Sequence, residues 1–147
     1  MIMEPPVLFS KKPRLRGARA KGITYENKIG KRLKKEAESG ELFGELRLSQ
    51  WFSFFDKNGH GYCQTDILVI TPSLVFILEC KLTYTEWAWS QLRELYKPVV
   101  EKVFERPSIV VQVCRNLHYL PSGMIGSLQE LIDNPKDGNN VWHILGD

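Results

Sequence analysis

Cysteine is scarce in this chain of 147 residues, occurring only at Cys63, Cys80 and Cys114, with no CxxC spacing. An odd, scattered set argues against a disulfide framework and makes a reducing cytoplasm the expected setting. Long apolar runs are also lacking: no uncharged stretch approaches the ~20 residues that a membrane-spanning helix requires, so no membrane partner is expected. Met1-Ile2-Met3-Glu4-Pro5-Pro6 has no basic segment ahead of a long apolar core, which speaks against a secretory signal. Histidine occurs three times. His60-Gly61-Tyr62-Cys63 has a spacing that can serve zinc, with His118 and His143 as distant candidates. No second ligand pair stands at metal spacing, so His60 reads as a turn residue and the thiols as small buried side chains.

What the chain does contain is enough apolar material, 43% of residues, for one core of ordinary domain size. Its net charge of +3 conceals a strong asymmetry. Residues 1–35 hold eleven Lys or Arg against Glu4 and Glu26, a surplus of nine, and the remainder carries a deficit of six. Lys11, Lys12, Arg14, Arg16, Arg19 and Lys21 fall in a stretch without apolar period, so residues 1–21 read as a basic, flexible arm. Lys28, Lys31, Arg32, Lys34 and Lys35 follow on the exposed side of a first helix. Basic arms attract phosphodiester backbones through counterion release, which makes a polyanion the expected partner.

The most apolar part of the sequence is interrupted by three charges. Asp66 lies in Gln64-Thr65-Asp66-Ile67-Leu68-Val69-Ile70, and Glu79-Cys80-Lys81 closes Leu74-Val75-Phe76-Ile77-Leu78. Charges are rarely buried unless they are paired or bind something. On a strand Glu79 and Lys81 share one face, while Leu74, Phe76, Leu78, Cys80 and Leu82 form an apolar stripe on the other. A short turn at Thr71-Pro72-Ser73 brings the Asp66 strand alongside, so two carboxylates and an ammonium converge. One or two carboxylates, completed by water and phosphate, suit Mg²⁺. A bound ion lowers the pKa of its water and neutralises charge on phosphate oxygens. Lys81 can hold the water, stabilise the developing charge or take a proton.

An Asp, a spacer of twelve residues and then Glu-x-Lys on the next strand resembles the signature of the PD-(D/E)XK nuclease superfamily. Thr65 stands where that family often has proline. Glu26, in Gly22-Ile23-Thr24-Tyr25-Glu26-Asn27-Lys28-Ile29-Gly30, matches the first-helix glutamate that many members aim at the metal. Gln91-Leu92-Arg93-Glu94-Leu95-Tyr96 resembles the glutamine and tyrosine pair of RecB-type members, with one extra residue between the two. The phrases around Asp66 and Glu79 are also similar to nuclease-related domains and to phage or resolvase-type members.

The resemblance implies an α/β fold, a restriction-endonuclease-like αβββαβ core with a mixed sheet flanked by helices, in a single domain over residues 22–147. It implies a Mg²⁺-dependent nuclease, with Mn²⁺ able to substitute, that hydrolyses DNA and leaves a 5′-phosphate. Asp66 and Glu79 would bind metal with the Cys80 backbone carbonyl and Glu26, Lys81 would assist the water, and Gln91 would orient water or DNA. RNA stays open as a substrate, as does pairing of two copies for two strands. Structure-directed or weakly specific endonucleolytic cutting in recombination, repair or phage replication, in the host-cell cytoplasm if phage-encoded, follows by analogy alone. The alternative is a binding or assembly module on the same fold without catalysis.

Apolar periodicity places the elements as a helix over residues 22–38, strands near 46–55, 64–70 and 74–82, a helix over 86–104, and a strand over 108–114. Residues 116–122 read as a loop, 123–133 as a short helix and 141–145 as a last strand. Asp56-Lys57-Asn58-Gly59 supplies a hairpin turn. Trp51, Phe52, Phe54 and Phe55 read as packing residues rather than base-stacking platforms, Thr85 as a helix N-cap, and Tyr84 as a phosphate contact bordering the cleft. Pro98 is expected to bend the second helix, since it offers no donor to the Glu94 carbonyl.

Overall fold

Strands rich in β-branched and aromatic residues build one mixed sheet in this protein, whose structure is a computed structural model. It describes the backbone of residues 7–9 and 20–145, and side chains from residue 22 to 145. Among the described residues seven strands lie in the order β1-β2-β3-β4-β5-β7-β6. They are β1 (Val7–Phe9), β2 (Glu45–Asp56), β3 (Gly59–Ile70), β4 (Val75–Thr83), β5 (Ser108–Asn116), β6 (Met124–Ile125) and β7 (Asn140–His143). β1 to β4 run antiparallel to their neighbours, whereas β4, β5, β7 and β6 pair in parallel. The parallel centre is buried on both faces, which is why Val75–Cys80 and Ile109–Cys114 are near-continuous apolar runs.

Helix α1 (Ala20–Ser39) covers one face. Tyr25, Ile29 and Leu33, four residues apart, form its buried stripe against Ile67, Val69, Phe76, Leu78 and Cys80. Each such side chain contributes about 1.5–3 kcal/mol by leaving water. Gly30 lets α1 approach Leu48, since a Cβ there would stand 3.3 Å from its side chain. The other face is covered by α2 (Trp87–Ser90), a π-helical turn (Gln91–Tyr96) and α3 (Lys97–Phe104), through Trp89, Leu92, Tyr96, Val99 and Val100. Helix α4 (Leu128–Asp133) adds Leu128 and Leu131 to the α1 side, its N-terminus capped by Ser127 Oγ accepting from the Glu130 N–H.

Several expectations are corrected. Helix α1 begins at Ala20, not Gly22, and Val7–Phe9, inside the segment read as a flexible arm, pairs with β2 as an edge strand. Of the arm's charges, Lys11, Lys12, Arg14, Arg16 and Arg19 lie outside the described residues, and Lys21 is described by its backbone alone. Residues 123–133 are not one helix: Met124 and Ile125 pair in parallel with β7, and only Leu128–Asp133 is helical. The bend expected at Pro98 takes the form of the π turn. There the Lys97 N–H bonds the Leu92 carbonyl five residues back. In an α-helical register the Glu94 carbonyl would look to residue 98, which is proline; the i→i+5 register moves that demand one residue on.

Candidate active site

The sheet opens at Asp66. β3 and β4 pair from Ile70↔Val75 to Ile67↔Leu78, and there the ladder ends, although both strands continue with other partners. The Cys80 N–H, which further pairing would have engaged, is bound instead by Asp66 Oδ2 at 2.8 Å. On the far side of β3, the β2 ladder skips the position between Leu48↔Ile67 and Gln50↔Thr65, where Ser49 faces Asp66. Ser49 adopts a left-handed φ of 54°, costly for a residue with a Cβ. The two strands keep register yet exchange faces across this point. Leu46 and Ile67 pack toward α1, while Phe52 and Cys63 join the opposite core. Asp66 therefore sits at a reversal in the sheet, beside a gap between β3 and β4 that is open toward both helical layers.

A cavity of about 810 Å³ fills that gap. Asp66, Glu79, Lys81, Glu26, Gln91 and the Cys80 position all line it, so the structure brings every predicted catalytic residue to one place. Glu79 is 6% exposed. Its Oε1 stands 3.5 Å from Lys81 Nζ, and its buried Oε2 meets no hydrogen-bond donor among the described residues. The Asp66 carboxyl is in hydrogen-bonding contact with Glu79, as an acceptor unless one of the pair holds a proton. Burial, then the charge of Glu79, lifts Asp66 well above the usual carboxylate range, against the Cys80 N–H bond. Burial likewise raises Glu79, opposed first by Lys81. Two desolvated acids that repel one another and an oxygen without a donor are what a cation would satisfy.

The donor set fits a hard ion completed by water and phosphate. Among the described residues no group of three His, Cys, Asp or Glu side chains could hold a metal, so the arrangement is not a zinc cage. Glu26 belongs to the cavity wall and its charge acts on Glu79, but it does not complete a three-carboxylate cluster. Burial keeps the Cys80 thiol protonated, which leaves its backbone carbonyl as the available ligand atom.

The extra residue between Gln91 and Tyr96 is absorbed by the π turn. With an i→i+5 repeat the two side chains share a face, and both line the cavity. Burial, then the charges of Glu79 and Asp66, raises the Tyr96 hydroxyl pKa. Tyr84, expected to border the cleft, does not line the cavity. Its hydroxyl donates to Glu86 Oε1 at 3.1 Å and accepts from Trp89 Nε1 at 3.0 Å. Lys28 lies apart from the acids, in a groove along α1 with Lys31, Arg32 and Lys35. His60 is not in the turn, which is Lys57-Asn58, but in β3, paired with Phe55 and stacked on its ring with centroids 4.7 Å apart.

Three contributors escaped the sequence reading. Gln112, fully buried on β5 beside Glu79, clamps the connection from β4 to α2: its Oε1 accepts from the Thr85 N–H at 2.9 Å and its Nε2 donates to the Thr85 carbonyl at 3.0 Å. Its signal was a lone amide inside an apolar strand. Thr85 Oγ1 in turn accepts the Trp87 N–H at 3.2 Å, but the N-cap position of α2 falls to Glu86, which makes no side-chain capping bond, so Thr85 is not the cap expected of it. Trp51 and Tyr62, from the β2–β3 hairpin, complete the cavity wall.

No family model and no curated protein matches the chain. Among solved structures, protein VC1899 from Vibrio cholerae is similar over 85% of this chain, with a TM-score of 0.55 and 13% identity. The match covers 30% of the length of that protein, and at such identity the likeness concerns the fold alone.

Proposed function

We propose that this protein is a divalent-metal-dependent nuclease that hydrolyses DNA phosphodiester bonds, by structure-directed or weakly sequence-specific cutting, on a restriction-endonuclease-like core. The order of α1, three antiparallel strands, a helix and a parallel strand supports that core. The observation that carries the activity is the buried, mutually repelling pair Asp66 and Glu79, with Glu79 Oε2 lacking a donor among the described residues and Lys81 beside Glu79.

In this reading Asp66, Glu79 and the Cys80 carbonyl would hold Mg²⁺, for which Mn²⁺ would substitute. The bound ion supplies a water of lowered pKa and neutralises charge on phosphate. Lys81, whose ammonium stands 3.5 Å from Glu79 Oε1, would hold or deprotonate the attacking water. Gln91 and Tyr96 orient water or substrate from the π turn, and Glu26 closes the α1 side. The basic face of α1, with the arm preceding it, holds the phosphodiester backbone without reading bases.

Incubation with linear, nicked, flapped and four-way-junction DNA, in Mg²⁺ or EDTA, tests the proposal. Cleavage that needs Mg²⁺ and disappears in Asp66→Ala and Lys81→Ala supports it. Full activity in Asp66→Ala removes the catalytic assignment. Salt-sensitive DNA binding indifferent to Asp66→Ala, with no metal-dependent product, identifies a binding module instead.

A further inference from the structure

The β2–β3 hairpin carries an aromatic surface, reaching the cavity at Tyr62, to which the hydrolysis proposed above assigns no role. Strand alternation puts Phe52, Phe54 and Cys63 into the core beneath α2 and α3, so Phe55, His60 and Tyr62 occupy the opposite face. There the sequence places rings where a hairpin face would ordinarily be polar. Phe55 is 44% and Tyr62 59% exposed. The His60 ring stacks on Phe55 at 4.7 Å with planes 24° apart, and meets Tyr62 edge-on at 4.4 Å. The cross-strand pair Phe55 and His60 steadies the hairpin by about 0.2–1 kcal/mol, which accounts for that contact but not for Tyr62, two residues along the same strand. Tyr62 also lines the cavity that holds Asp66 and Glu79. Only Gln64 stands between Tyr62 and Asp66 among alternate residues of β3, a path of about 13 Å along the strand.

We infer that Tyr62, backed by His60 and Phe55, is a stacking platform for an unpaired base of single-stranded nucleic acid whose backbone enters the Asp66 and Glu79 cavity. The inference rests on the nuclease reading and narrows its substrate to strands with unpaired bases next to the scissile phosphate. Every base offers a π face, so the platform is indifferent to sequence. A paired base keeps its faces stacked within the duplex and cannot occupy it. Around the rings stand Lys57 at the tip, Ser53 opposite Tyr62, and Gln64 beside the buried Trp51 toward the cavity, a mixed polar and aromatic surface that suits a nucleotide rather than an apolar protein surface.

The test uses the full chain in EDTA, so that nothing is cut, with fluorescein-labelled oligo(dT) and a blunt duplex of equal length read by anisotropy. Tyr62→Ala is expected to weaken oligo(dT) binding roughly 5- to 150-fold, Tyr62→Phe to restore it, and the duplex affinity to stay within about twofold. Unchanged oligo(dT) affinity in Tyr62→Ala, or an equal loss on the duplex, overturns the platform. Cleavage by the wild-type chain in Mg²⁺, run in parallel, separates the two claims. If the wild type cuts DNA and Tyr62→Ala binds oligo(dT) as tightly, only the platform falls. If the wild type neither binds nor cuts, the nuclease reading falls and the platform with it. Matching circular dichroism melts for both Tyr62 variants show that the hairpin is intact.

Discussion

Replacing Asp66 by Asn should abolish cleavage and, in the absence of metal, make the protein more stable. With both ionised, Asp66 and Glu79 are acceptors only, and their mutual repulsion, with no donor among the described residues for Glu79 Oε2, is then a cost carried by the fold. An Asn side chain keeps an oxygen for the Cys80 N–H and turns an amide donor toward Glu79. An unsatisfied buried acceptor costs about 1–3 kcal/mol, so satisfying it returns a gain of that order. For a chain of 147 residues, at about 3 °C per kcal/mol, the melting temperature in EDTA at pH 8 should rise by about 3–9 °C. Asp66→Ala is the control: it removes the repulsion but strands the Cys80 N–H and leaves a void, so it should gain little or lose stability. Thermal unfolding followed by circular dichroism reads all three chains. If Asp66→Asn melts at or below the wild type in EDTA, the two acids are not in the strained contact described here.

Metal and pH should act on the same pair. Both folded-state pKa values are raised, so between the ordinary carboxylate range near pH 4 and those raised values the folded state binds more protons than the unfolded. Metal-free stability should therefore be fullest below that window and fall as pH rises through it, whereas stabilisation by Mg²⁺ should grow, reaching about 2.7 kcal/mol, or ~8 °C, at a hundredfold excess over Kd. Melts in EDTA and Mg²⁺ from pH 5 to 9 check this; a Mg²⁺ shift that shrinks with rising pH contradicts it. Lys81→Ala should cut the cleavage rate at least about 100-fold while moving the melting temperature by less than about 2 °C, as single-turnover kinetics and a melt will report. Gln112→Ala, which strands both backbone groups of Thr85, should cost about 2–4 kcal/mol and lower the melting temperature by about 6–12 °C; a silent substitution would show that the clamp does not hold the β4–α2 connection.

The sequence made the two central strands legible because they obey simple periods. Val75–Cys80 alternates between two buried faces, and its charges fall where the apolar run ends. Asp66 was found by the same contrast between charge and surroundings. What periodicity could not show was the reversal at Ser49 and Asp66. A strand pattern assumes that alternate residues keep to one face, and a left-handed serine breaks that rule without leaving a Gly or Pro as a marker. The side of the sheet taken by Tyr62 and Trp51 was hidden for this reason, and so was their place in the cavity. The π turn was legible only as two oddities, a proline at 98 and a Gln–Tyr spacing one residue too long, which the i→i+5 register resolves together. Tyr84 was misplaced because its neighbours in space, Trp89, Glu86 and Tyr119, claim its ring and hydroxyl, and such contacts leave no trace in spacing.

Anomalous diffraction from crystals soaked in Mn²⁺ tests the central claim most directly. The account predicts a peak in the gap between β3 and β4, within about 2.0–2.3 Å of oxygens from both Asp66 and Glu79. A peak elsewhere, or none with the ion in excess, would contradict it.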